Sequence, residues 1–287
     1  MNSITVIDNS SAEFPDKLRN IPSPPERIYC MGDVSLLHEK SVGVVGARKA
    51  TLYGKNVAIM VGRRLAESGI PVVSGFAMGV DSYSHEGALE ADGKIIGVLG
   101  FGMDQMRYQR NYGLMQKCVD SGGLIVSEYP PDMHANKATF PQRNRIISGI
   151  SSVLVVVEAG MNSGSLITAK CAADQGRTVY AVPGNINSST SMGTNLLIRD
   201  GAIPMVIIDD LIRDIGMETS SLNSSGFKLD EDEEKIFESV RTRSGATSEE
   251  IISDTGLSAS LVSSLITVME IKGIVESYAG RIYAGMR

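Results

Sequence analysis

Residues 42–75 read VGVVGARKATLYGKNVAIMVGRRLAESGIPVVSG, and three segments divide them. VGVVG (42–46) is short and wholly apolar, with the β-branched residues that suit a strand. GKNVAIMVGRRLAESG (54–69) places Val57, Val61 and Leu65 four apart, the stripe of an amphipathic helix. IPVVSG (70–75) is a second apolar strand. Strands without polar alternation are buried on both faces, and two of them joined through a helix make a parallel βαβ unit.

Outward from this unit the alternation repeats. DSYSHEGALEADG (81–93) predicts a helix, IIGVLG (95–100) a strand and residues 109–121 a helix. GLIVSEY (123–129) is a strand, RNRIISGI (143–150) a short helix and SVLVVVEA (152–159) the most apolar strand. SLITAKCAADQG (165–176), TVYAVPG (178–184), NLLIRDG (195–201) and IPMVII (203–208) continue as helix, strand, helix and last strand. Four helices end at a glycine suited to a left-handed cap: Gly69, Gly93, Gly176 and Gly201. The pattern predicts a doubly wound α/β domain with a mostly parallel sheet over 41–216, preceded by a lead-in segment over 1–40. In such folds ligands sit beyond the carboxyl ends of the strands.

At 217–227 the composition turns serine-rich, as in METSSLNSSG, and reads as a linker. Residues 228–287 restart with the acidic helix entry LDEDEEKIFESV, followed by SEEIISDTG, LSASLVSSLITVMEIKG and IVESYAGRIYAG. Helix, helix, turn at Thr255-Gly256, helix and a hairpin turning at Gly280 is the order of a small winged-helix-like domain. Its charge runs against duplex DNA reading: seven basic residues face eleven acidic ones, a net of −4, and SASLVSSLITVME carries no Lys or Arg. Duplex affinity depends on phosphate neutralisation, so this domain reads as a protein-contact or regulatory module.

The whole chain of 287 residues has a net charge of −6, which argues against a general nucleic-acid coat but leaves room for a local basic patch. Cys30, Cys118 and Cys171 are scattered, as reduced thiols of a cytoplasmic protein would be. His38 and His134 stand in no metal spacing. Asp81 and His85, four apart, read as a local helix pair rather than an acid–base couple. No targeting segment is visible at MNSITVIDNS, and no apolar run reaches the ~18–20 residues of a membrane span.

Chemistry concentrates where the strands end. VGARKATLYGK (45–55) has no GxGxxG fingerprint, so a dinucleotide cofactor is unsupported; Gly46 permits close backbone approach and Arg48 offers a fork for phosphate. SGFAMGVD (74–81) sets Gly75 and Gly79 about a strand–helix junction. In EAGMNSGSLITA (158–169), Ser163, Gly164 and Ser165 open a helix whose N–H groups suit an anion, though an ordinary serine cap explains them as well. FPQRNRIISG (140–149) follows Lys137. Lys137, Arg143 and Arg145 supply charge, Phe140 a stacking face, and Asn144 an amide for a base edge or the loop. Phe140 also reads as a core staple beside Pro141, and Arg145 as the partner of an acid such as Glu158.

These segments, in order over 40–210, together with VVVEAGMNSGSLITAKCAADQGR and YAVPGNINSSTSMGTNLLIRDGA, resemble the DprA/Smf family of DNA-processing proteins. The resemblance implies an extended Rossmann-like, non-catalytic domain that binds single-stranded DNA, with Arg48, Lys137, Phe140 and the Ser163–Ser165 turn in its pocket. It implies a homodimer that protects incoming single strands in natural transformation and loads the RecA recombinase, without cofactor or membrane. Ala47 stands where the family often has Ser, and Met78 where it often has Arg or Lys, which removes one cation. Only about 40 residues precede Ser41, too few for the N-terminal helical domain of many relatives together with the lead-in.

The competing reading is a nucleotide-binding or nucleoside-monophosphate-cleaving enzyme on a similar fold. Its relatives carry a PGGxGT-type turn with a catalytic Glu, whereas AGMNSGSLIT has neither the Gly-Gly pair nor a following carboxylate. A transcription regulator acting through the winged helix is opposed by that domain's acidity.

Overall fold

The computed structural model describes residues 3–216, 229–243, 245–272, 274–278 and 280–284, in two compact units, Met1–Thr219 and Ser220–Arg287. The linker expected over 217–227 lies outside the described residues. In the first unit, β1 (Thr5–Asp8), α1 (Asp16–Arg19) and β2 (Arg27–Gly32) precede the βαβ core. Then come β3 (Val42–Val45), α2 (Leu52–Glu67), β4 (Val72–Ser74), α3 (Val80–Glu90), β5 (Ile95–Leu99), α4 (Tyr112–Asp120) and β6 (Leu124–Ser127). The unit continues with α5 (Thr139–Ile150), β7 (Val153–Val156), α6 (Gly164–Asp174), β8 (Thr178–Ala181), α7 (Met192–Arg199), β9 (Ile203–Pro204) and α8 (Ile208–Asp214).

Among the described residues, one sheet runs in the order β1-β2-β6-β5-β4-β3-β7-β8-β9. From β3 to β6 the chain winds one way across it, and from β7 to β9 the other, every pair from β6 to β9 being parallel. The doubly wound α/β class expected from the strand pattern is the observed one. Two apolar layers, one on each face, enclose the strands, which is why β3, β5 and β7 are buried at every residue. The winding reverses between β3 and β7, so the loops after these strands part and leave a crevice.

Several expectations shift. The lead-in over 1–40 is not an appendage: β2 pairs antiparallel with β6 and β1 with β2, extending the sheet. The strand expected over 203–208 pairs only at Ile203 and Pro204; Pro204 brings no N–H to a further ladder, and Asp209 and Asp210 open α8. At 92–93 the left-handed residue is Asp92, at φ 54°, rather than Gly93; a short polar side chain tolerates that conformation. The helix expected at 143 begins at Thr139, and just before it Asn136 Oδ1 accepts from the N–H groups of Ala138 and Thr139, giving donors at the helix entry a partner. Pro141 fits, since a first-turn N–H has no partner in the helix.

The second unit holds α9 (Glu231–Thr242), α10 (Ser248–Thr255), α11 (Ala259–Ile271) and the hairpin β10 (Val275–Tyr278) and β11 (Arg281–Ala284). Capping boxes start α9 (Asp230 with Glu233) and α10 (Thr247 with Glu250). Gly256, left-handed at φ 68°, makes the turn into α11. Ile236, Val240, Ile251, Val262 and Met269 form a separate small core, and the order of three helices and a hairpin is the one expected from the sequence. Among the described residues no single helix is long and apolar enough to cross a membrane.

Candidate nucleic-acid interface

At the reversal point lies a cleft of about 910 Å³. Its walls are the turn after β3, with Gly46, Arg48 and Lys49, and the turn after β7, with Ser163, Gly164 and Ser165. Lys137, Phe140, Arg143 and Asn144, at and before the start of α5, close the third side. Of the ten residues singled out in the sequence, only Arg145 lies outside this lining.

A helix turns about 100° per residue, so Arg143, Asn144 and Arg145 diverge. Arg143 points under the cleft and is buried. One of its terminal nitrogens donates to the carbonyls of Gly75, at 3.0 Å, and Val98. A Cβ at position 75 would stand 2.4 Å from that guanidinium, so Gly75 makes the room it needs. Burial pulls the Arg143 pKa down to about 10, against the attraction of buried Asp81, and it stays charged at neutral pH. Burial in turn pushes the Asp81 carboxyl up, opposed by Arg143 and by the Gly75 N–H that it accepts. The phosphate role expected of Arg143 is therefore corrected: it is buried beneath the cleft and Nη1 is spent on two carbonyls of the core. Arg145 points away from the cleft and forks onto Glu128, at 2.6 and 2.7 Å, with its Nε donating to the Ser23 carbonyl. It is a structural partner, as its alternative reading had it, but of Glu128 rather than Glu158.

Glu158 has a different task. It accepts from Thr51 N–H at 2.9 Å and Thr51 Oγ1 at 2.6 Å, placing a carboxylate against the N-terminus of α2. That helix end is taken. The N-terminus of α6 is open: Ser163 caps it, Ser163 Oγ and Ser165 Oγ are 2.7 Å apart, and nothing lies within 4 Å of where a Cβ on Gly164 would stand. The N–H groups of Ser165 and Leu166 already donate to Ser163, so an anion there meets the serine hydroxyls and the positive helix end. Gly46 lines the cleft, but a Cβ on it would meet Val80 at 2.7 Å, so packing against α3 already requires the glycine.

Arg48, Lys49 and Lys137 are exposed, and none forms an ion pair among the described residues. The Arg48 guanidinium lies 5.7 Å from the centroid of the Phe140 ring, which is half-buried and packs beside Gly100. Asn144 Nδ2 donates to the Gly164 carbonyl at 3.3 Å and joins α5 to the α6 turn. Sequence reasoning missed Lys49, although it sits in the quoted ARK. It also missed Arg110, whose Nη1 approaches the sulfur of exposed Met78 at 3.7 Å. A cation is thus present where Met78 seemed to remove one, and only the adjacency of the turns after β4 and β5 brings it there. His85 is buried against Phe76 with ring centroids 4.7 Å apart, and burial lowers its pKa to about 3, so it stays neutral in the core.

An α/β fold with a cationic and aromatic cleft at the strand ends is the form of a nucleotide- or nucleic-acid-binding protein. Residues 5–216 match the family DNA recombination-mediator protein A, and the chain belongs to that family of DNA-processing proteins. It is 37% identical over 210 residues to Protein Smf of Escherichia coli, covering 73% of this chain and 56% of that protein. It is 37% identical over 213 residues to the DNA processing protein DprA of Bacillus subtilis, covering 74% and 71%. The solved structure of DprA from Streptococcus pneumoniae superposes with a TM-score of 0.69 at 34% identity, covering 75% of each chain. That of DprA from Helicobacter pylori, reported for its single-stranded DNA binding mode, superposes at 0.66 and 30%, covering 75% of this chain and 98% of that one.

Proposed function

We propose that this protein binds single-stranded DNA in the strand-end cleft, without cleaving it. One observation carries the reading: Arg48, Lys49 and Lys137, which form no ion pair among the described residues, line one cleft with the Phe140 ring, over which Arg48 lies, and with the N-terminus of α6. Cations track phosphates while an aromatic face stacks a base, and the helix end holds one phosphate more. The relative from Helicobacter pylori studied for its single-stranded DNA binding mode supports the choice of ligand. The two carboxylates nearest the cleft are engaged, Asp81 with Gly75 and Glu158 with Thr51 and Thr190, which favours binding over hydrolysis. With this activity goes the role that the family resemblance implies. The protein acts in the cytoplasm as a homodimer, protects incoming single strands in natural transformation and passes them to RecA.

The test is a titration against labelled single and double strands of equal length at two salt concentrations. Single strands bind more tightly, and their affinity falls with salt. Arg48→Ala and Lys137→Ala each weaken binding and flatten the salt slope by about 0.7 per lost phosphate contact. An unchanged slope in both variants removes the cleft from the binding surface.

A further inference from the structure

Beyond the cleft, the strand ends carry a second aromatic platform. Gly79, left-handed at φ 87°, backs onto the carbonyls of Ala47 and Arg48, so Met78 stands directly beside the cleft's cationic wall. Arg110 reaches Met78 from the far side. Asn111 fixes that side, donating to the Phe76 carbonyl and to Ser82 Oγ, both at 2.8 Å. Two residues before Arg110, the Tyr108 ring is 68% exposed. The Arg107 guanidinium lies 4.9 Å from its centroid and covers one face, leaving the other open. Arg107 borders a hollow that also holds Asp104 and Asp120, yet among the described residues neither Arg107 nor Arg110 forms an ion pair.

We infer that a single strand filling the cleft continues over Met78, with Arg110 meeting a phosphate and Tyr108 stacking a base, so that the binding site is one platform longer than the cleft. This rests on the reading that the cleft holds single-stranded DNA. An exposed tyrosine outside the apolar core, with a cation over its ring and unpaired positive charge beside it, has the chemistry of a base-stacking step. The occupant is the same strand, because the platform adjoins the cleft.

The experiment compares oligothymidines of about 5 nucleotides, enough for the cleft, and about 20 nucleotides, enough for both. Tyr108→Ala should weaken the long strand about tenfold and leave the short one within about twofold, while Tyr108→Phe keeps wild-type affinity for both. Arg110→Gln should flatten the salt slope for the long strand only. Equal losses on both lengths, or none on the long one, overturn the platform. In either case Arg48→Ala still weakens both lengths if the cleft is the site. A wild-type protein that binds neither oligonucleotide brings down the cleft itself.

Discussion

The strand-end cleft and the second unit make opposite use of their cations. In the second unit every described Lys and Arg is paired: Lys235 with Glu231 and Asp232, Arg241 with Glu238, Arg243 with Asp254, Lys272 with Glu233, and Arg281 with Glu250. Two exposed hydroxyls of α11 are spent on the helix's own backbone, Ser264 donating to the Ser260 carbonyl and Thr267 to that of Ser263. In the cleft, Arg48, Lys49 and Lys137 form no ion pair among the described residues, and the one carboxylate in the lining, Asp81, is buried. On the proposed reading, an acidic protein can hold a polyanion because affinity depends on which cations are unpaired and gathered, and far less on their total. Arg143 and Arg145 repeat the lesson within one helix, being cations already committed to the protein.

The largest effect expected on that contrast comes from Arg143. Arg143→Ala leaves Asp81 buried without its partner and the Gly75 and Val98 carbonyls without their donor, at a cost of about 3–5 kcal/mol in denaturant unfolding. The folded fraction should still bind single strands. A loss under about 1 kcal/mol, the range of exposed pairs, would return Arg143 to the binding set.

Acid should separate the two units next. His85 is held neutral in the folded state, with its pKa lowered to about 3, so below about pH 6.5 the unfolded chain takes up a proton that the folded one refuses. Its contribution is present above that pH and is lost as the pH falls toward 3, at up to about 1.4 kcal/mol per pH unit. Asp254, held near 2 by its hydrogen bonds from Arg243 and Ser239, contributes above its unfolded value and loses this only as the pH falls through about 2. Amide exchange followed from pH 7 to 4 should therefore show the first unit opening before the second, and His85→Phe should flatten the trend. The same trend in the variant assigns the acid sensitivity to other groups.

Phe140→Ala should weaken single-strand binding by about 1–3 kcal/mol with an unchanged salt slope, since no phosphate contact is lost. Its half-buried ring also packs at the edge of the core, so some stability goes with it. A stability loss of about 3–5 kcal/mol with normal binding by the folded fraction makes the ring a core staple. The smallest effect belongs to the second unit. Arg241→Gln together with Arg281→Gln should leave affinity within about twofold and cost about 0–1 kcal/mol of stability, as exposed ion pairs do. A marked loss of affinity would mean that the second unit meets DNA despite its pairing.

Periodicity and punctuation over 42–208 were enough to place nearly every strand and helix of the sheet, because buried parallel strands are written as unbroken apolar runs. The turns at Gly46, Ser163–Ser165 and Phe140 were legible as a candidate site, since they stand where apolar runs stop. Helix start points were less legible: the turn before α5 is held by Asn136, through side-chain hydrogen bonds that no apolar pattern announces.

What the chain order could not decide is the fate of each charge. Arg143 and Arg145 are the same letter two positions apart, but helical rotation sends one beneath the sheet's ends and the other to Glu128, with Asn144 between them facing the α6 turn. Arg110 joins Met78 only because β4 and β5 lie side by side, and residues 1–40 enter the sheet only because β2 finds the open edge of β6. Local sequence sets backbone conformation through sterics and burial, which act over a few residues. Whether a cation is free depends on what the folded chain brings to within a few ångströms of it, and that is set by contacts between residues far apart in the chain.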